Sequence, residues 1–129
     1  MFERKENMNN ILKTLTETNK IYKHNDNLFE IETNVMLGSF KLRVFVKKDG
    51  DKIILTDNKT AIKFMNDLYE LKSVDVKKCI NDILKLYNFN ISKGEIFAEV
   101  SKEELKARYM ELIICISQLV NMYIFFDMP

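Results

Sequence analysis

Apolar side chains recur along this chain with two different periods, and the switches between them mark out the elements. Over residues 5–23, Met8, Ile11, Leu12, Leu15 and Tyr22 follow the spacing of one helix face. An amphipathic helix is therefore expected there, ending in the turn-forming run Lys23-His24-Asn25-Asp26-Asn27. The period then falls to two. Phe29-Glu30-Ile31-Glu32-Thr33 alternates apolar and polar, Leu37-Gly38-Ser39 reads as a turn, and Phe40 to Lys48 is a strong strand. In that strand Leu42, Val44 and Val46 share one side, and Lys41, Arg43, Phe45 and Lys47 share the other. Asp49-Gly50 signals a hairpin that returns through Ile53-Ile54-Leu55, completing a three-stranded antiparallel meander.

Helical periodicity resumes after Asp57-Asn58, either of which can cap the next helix; a carboxylate at Asp57 would satisfy free N–H groups there. A helix over 60–71 uses Ile62, Met65, Leu68 and Tyr69, and a second over 74–87 uses Val76, Cys79, Ile80, Ile83, Leu84 and Tyr87. Ile91 and Glu95-Ile96-Phe97-Ala98-Glu99-Val100 flank Ser92-Lys93-Gly94 as a short hairpin or edge strand. Ser101-Lys102-Glu103-Glu104 is a capping box opening a last helix over 102–123. The predicted order is α-βββ-αα-β-α. It describes a single α+β domain over residues 1–129, with a meander of three strands plus a short fourth packed by four helices.

Composition narrows the chemistry. The chain has 129 residues, 20 Lys plus Arg against 19 Asp plus Glu, and a net charge of +1 that stays near balance along its length. A dedicated nucleic-acid binder usually carries a basic excess. Cys79 and Cys115 both fall in helical apolar patterns and read as free structural thiols in a reducing compartment. The charged start Met1-Phe2-Glu3-Arg4-Lys5-Glu6-Asn7 lacks the apolar core of a signal peptide, and a cytoplasmic location is expected. Residues 109–126 are apolar enough to imitate a membrane span. Glu111, Ser117, Gln118 and Asn121 favour a buried central helix instead, and no membrane association is expected. A strong preference for Lys over Arg, with abundant Asn and Ile, is the bias of AT-rich codons and points to a low-GC bacterium or a mobile element within one.

Few constellations could carry a reaction. The single histidine, His24, lies in a polar turn, and there is neither CxxC nor HExxH, so a zinc site is not expected. Asp49, Asp51 and Asp57 could offer oxygens to a hard cation but lack the spacing of a calcium loop. Gly38, Gly50 and Gly94 are isolated and build no phosphate loop. Asp57 with Glu70-Leu71-Lys72 imitates a metal-nuclease pattern, yet Glu70 and Lys72 fall on a helix, where residues two apart do not share a face. The helices at 60–71 and 74–87 imitate a helix-turn-helix without the usual glycine, and ordinary packing is favoured. The apolar end Phe125-Phe126-Asp127-Met128-Pro129 is expected to cover its own core. The basic side of the second strand, Lys41, Arg43 and Lys47 with Phe45 interleaved, is the most suggestive surface.

Glu30-Ile31-Glu32-Thr33, the strand Leu42–Val46, Asp49-Gly50-Asp51 and Ile54-Leu55-Thr56-Asp57 together resemble the bacterial and phage domain of unknown function 1828 family over residues 28–125. The Leu-Thr-Asp run matches that family's signature at the strand-to-helix junction, and the downstream order is similar: a helix, a second helix ending at Ile83-Leu84-Lys85-Leu86-Tyr87, then Gly94-Glu95-Ile96 and a long apolar last helix. Where the family commonly has an acidic or small residue and then Gly after Thr-Asp, this chain has Asn58 and Lys59. Where the family has Pro after the first-strand Thr, this chain has Asn34. The resemblance supplies no established catalytic residues to carry over, and no cofactor is expected.

The expected function is thus non-catalytic. A small phage or mobile-element type of protein would bind and inhibit a host protein, for example a CRISPR defence component. The candidate partner-binding residues are Lys41, Arg43, Phe45, Lys47, Lys48 and Asp57. The alternatives are a nucleic-acid-binding module on the basic strand face and a metal-dependent nuclease-like enzyme around Asp57.

Overall fold

A computed structural model describes residues 20–37, 40–68 and 74–126. In chain order the elements are β1 (Lys20–Asn25), β2 (Leu28–Leu37), β3 (Phe40–Asp49), β4 (Lys52–Thr56), α1 (Thr60–Leu68), α2 (Val74–Leu86), β5 (Asn90–Ser92), β6 (Glu95–Val100) and α3 (Leu105–Phe126). The strands form one antiparallel sheet in the order β1-β2-β3-β4-β6-β5. The architecture is α+β as expected, with six strands and three helices among the described residues. The expected first helix falls for the most part on 5–19, outside the described residues.

At 20–23 the helical expectation gives way to strand. Lys20, Ile21 and Tyr22 lie opposite Glu32, Ile31 and Glu30 of β2. Ile21 and Tyr22 are good strand formers, and pairing with a long β2 outweighs a helical spacing carried into this stretch by Tyr22 alone. The β3–β4 turn places Gly50 at φ 60° as the first of two central residues, the position that needs glycine in a tight hairpin. Thr33 spans an irregularity in the β2–β3 ladder: its hydroxyl donates to the Leu42 carbonyl at 2.7 Å and accepts from the Val35 N–H at 3.1 Å.

The expected short fourth strand is a hairpin, and β6 is not at the edge. The chain leaves β4, passes through α1 and α2, and returns so that β6 pairs antiparallel with β4 while β5 takes the outside. One sheet face is the core: Phe29, Ile31, Leu42, Val44, Val46, Leu55, Ile96, Ala98 and Val100 are buried. α3 lies against it through Leu105, Tyr109, Leu112, Cys115, Ile116, Leu119 and Val120, and both α1 and α2 pack on α3. A helix walled on several sides is apolar nearly all round, which is why residues 109–126 imitate a membrane span. Among the described residues no helix is long and apolar enough to cross a membrane.

Helix ends follow local chemistry. At α2 the N–H of Phe89 reaches the Leu84 carbonyl at 2.9 Å and that of Asn88 reaches Lys85 at 3.1 Å, with Asn88 at φ 58°. This is a Schellman C-cap with asparagine standing in the left-handed position. At Ser101 the capping box forms, with Glu104 N–H donating to the hydroxyl at 3.1 Å. The hydroxyl in turn donates to the Glu104 carboxylate at 3.0 Å. The cysteines are unpaired, Cys79 half-buried and Cys115 buried.

Candidate functional site

Because side chains alternate along each strand, burying the odd positions of β2 and the even positions of β3 turns the remaining positions to the opposite sheet face. The register aligns one row across all six strands: Tyr22, Glu30, Phe45, Thr56, Phe97 and Asn90. Beside it run Lys20, Glu32 and Arg43 on one side, and Leu28, Lys47, Ile54 and Glu99 on the other. Phe45, Ile54 and Phe97 are half-buried, so these three keep an apolar strip partly exposed on this face, while Glu30 and Thr56 in the same row are buried.

The charges on this face pair with each other. Glu30 is buried and joins His24 at 2.7 Å and the Arg43 guanidinium. Desolvation pushes the Glu30 carboxyl up, but the bonds from His24 and Arg43 outweigh it and hold the group below the ordinary glutamate range. The His24 ring stacks 6.3 Å from Phe45 at 23°. Glu32 accepts from the Tyr22 hydroxyl at 2.9 Å and faces Lys41 at 3.7 Å. The Tyr22 bond holds that carboxyl low, with Lys41 adding to it. Glu95 accepts from Thr56 at 2.6 Å and from Lys47 at 3.0 Å. Burial raises its pKa, and the Thr56 and Lys47 bonds bring it below the ordinary value.

The structure therefore brings together four of the six expected partner-binding residues. Lys41, Arg43, Phe45 and Lys47 share the open face, and each of the three cations has a carboxylate from another strand. Lys48 is exposed but lies opposite Ile53, on the other side of β3, near the hairpin turn. Asp57 is wholly buried. Its Oδ1 accepts the N–H groups of Lys59 and Ile96, each at 3.0 Å, and its Oδ2 accepts that of Ala61 at 3.0 Å. Burial pushes its carboxyl above the ordinary aspartate value, with these bonds opposing the rise. Asp57 is a helix cap tied into the sheet and offers no surface to a partner or a metal. Among the described residues no group of three His, Cys, Asp or Glu side chains is placed to hold a metal ion. Glu70, Leu71 and Lys72 lie outside the described residues.

His24, Glu30, Glu95 and Phe97 are members of this face that sequence reasoning missed as site residues. The alternation of Glu95, Phe97 and Glu99 against buried Ile96, Ala98 and Val100 was a usable signal for the last two. For His24 there was none, because its partner is set by the β1–β2 register.

The same geometry explains the Leu-Thr-Asp run. Leu55 is buried in the core, Thr56 binds Glu95 and receives the Asn58 N–H at 2.9 Å, and Asp57 caps α1. The residues after it, Asn58 and Lys59, stand at φ 51° and 70°, where a glycine is favoured. A search of curated proteins and of solved structures finds no match. The sequence matches the family described as Domain of unknown function DUF1828 over residues 39–119, more than half of its length, and the chain belongs to that family.

Proposed function

We propose that this chain is a non-catalytic binding protein that docks on a partner protein through the open sheet face. The observation carrying this reading is the self-neutralised character of that face: Lys41, Arg43 and Lys47 each face a carboxylate around half-buried Phe45, Ile54 and Phe97. Phosphate binding draws on cations free to replace counterions, and these three are already engaged. Protein interfaces favour aromatic anchors at a charge-depleted centre with a polar surround. Inhibition of a host protein, a defence component included, is the narrower form of the proposal.

A photo-reactive amino acid at position 54, compared with one at Lys77 on α2, tests it in host extract. The expected result is one discrete protein adduct from position 54, lost when Phe45→Asp is added. Adducts that disappear on nuclease treatment favour the nucleic-acid module instead. Equal labelling from Lys77 overturns the assignment of the face.

A further inference from the structure

Where the open face meets the β5–β6 turn, Lys47, Ile54, Lys59, Ser92, Lys93, Glu95 and Phe97 line a shallow cleft of about 310 Å³. Its apolar walls are Ile54 and Phe97. Three lysines converge on it from three separate places: β3, the turn before α1, and the β5–β6 turn. One carboxylate, Glu95, offsets Lys47. Lys59 also acts on Glu95 through space, but among the described residues neither Lys59 nor Lys93 forms a close ion pair, and both are exposed. Here three described lysines meet one carboxylate.

The backbone at these two lysines adds a second, independent observation. Asn58 and Lys59 stand at φ 51° and 70°, and Thr60 N–H reaches the Asp57 carbonyl at 3.1 Å. Lys93 and Gly94 stand at φ 51° and 80° between paired Ser92 and Glu95. Both are two-residue turns with two left-handed central residues, for which Asn-Gly is the preferred sequence. The first turn has the Asn and the second has the Gly. In each, the other position is lysine, a residue that the left-handed region disfavours. Backbone strain of this kind concentrates where a side chain serves recognition.

Resting on the docking reading above, we propose that this cleft anchors an acidic segment of the partner protein that carries a large apolar side chain. The apolar group would lie against Ile54 and Phe97, and its flanking carboxylates would meet Lys59 and Lys93. Free cations beside an apolar wall select for that pairing, and the volume accommodates about one aromatic side chain with a neighbouring carboxylate.

The test uses the full chain and amide NMR signals of Ile54, Ser92 and Phe97. The probe is a blocked peptide with one phenylalanine between two pairs of glutamates, compared with the same peptide carrying glutamines, with inorganic phosphate and with a thymidine oligonucleotide. The glutamate peptide is expected to move these signals, and the glutamine peptide to bind at least tenfold more weakly. The double variant Lys59→Gly with Lys93→Asn makes both turns Asn-Gly. It is expected to melt at a higher temperature and yet lose the peptide at least tenfold. Unchanged peptide binding in that variant overturns the proposal, as does equal binding of the glutamine peptide. Phosphate or the oligonucleotide moving the same signals at equal or lower concentration assigns the cleft to another anion and also overturns it. A discrete adduct from position 54 that survives in the double variant keeps the docking face while removing the cleft as its anchor.

Discussion

Asp57 and Ile96, 39 residues apart, hold each other through two hydrogen bonds: the Ile96 N–H donates to the Asp57 carboxylate at 3.0 Å, and the Asp57 N–H donates to the Ile96 carbonyl at 3.1 Å. One buried side chain thereby joins the end of β4, the start of α1 and the inserted strand β6. Removing it strands the N–H groups of Lys59, Ala61 and Ile96. A lost cap costs about 1 kcal/mol, and each buried donor left unsatisfied costs roughly 1–3 kcal/mol more. Asp57→Ala is expected to destabilise the fold by about 3 kcal/mol in urea unfolding. Asp57→Asn, which keeps one oxygen, is expected to fall between the two.

Acid should weaken the protein through Glu30. Its carboxyl titrates lower in the fold than in the unfolded chain, so its contribution is present above the ordinary value of 4.5 and fades as the pH falls through the folded value. Asp57 acts in the opposite sense, because burial raises its pKa. Its protonated form favours the fold, and that benefit is present below the ordinary value of 3.8 and fades as the pH rises through the folded one. Urea midpoints measured from pH 7 to pH 3 should fall in the wild type. Glu30→Gln should begin lower and show a flatter decline.

Arg108 closes the C-terminal end of α2 from across the molecule. Its guanidinium donates to the carbonyls of Tyr87 and Asn88, both at 2.7 Å, and to Glu111 at 2.8 Å, and lies 4.1 Å over the Phe89 ring. A charge-assisted bond is worth about 1.5–3 kcal/mol, so Arg108→Ala should cost about 2 kcal/mol in urea. Lysine is a compact point charge that cannot fork between two carbonyls while stacking on a ring. Arg108→Lys should recover less than half of the loss.

Lys59 carries backbone strain that glycine would relieve. The left-handed conformation costs an L-residue roughly 1–2 kcal/mol, and glycine returns about 0.5–1 kcal/mol of that as lost chain entropy. The single variant Lys59→Gly should gain about 0.5 kcal/mol, read as a higher urea midpoint with an unchanged slope.

The two thiols should separate by reactivity. Burial pushes Cys115 up to about 12, leaving almost no thiolate at neutral pH. Iodoacetamide at pH 8 should label half-buried Cys79 first and Cys115 only at the rate of global unfolding, as peptide mapping by mass spectrometry would show.

Local patterns are legible in the chain itself. The alternation in Phe40–Lys48 names its buried side because a strand has a strict period of two, and Leu42, Val44 and Val46 are indeed buried. Ser101 with Glu104, and Asp57 ahead of α1, act over three or four residues, so their spacing alone announces a cap. Register and strand order are another matter. Nothing near Arg43 in the chain says that Glu30 will neutralise it, and nothing near Lys47 names Glu95, 48 residues away. Those partners are fixed by which strands lie side by side. The basic strand that invited a nucleic-acid reading becomes neutral only once β2 and β6 supply their carboxylates. The same assembly brings lysines from two distant turns to one apolar wall. Side-chain period is a property of neighbouring residues, whereas charge compensation and cleft shape are properties of the assembled sheet.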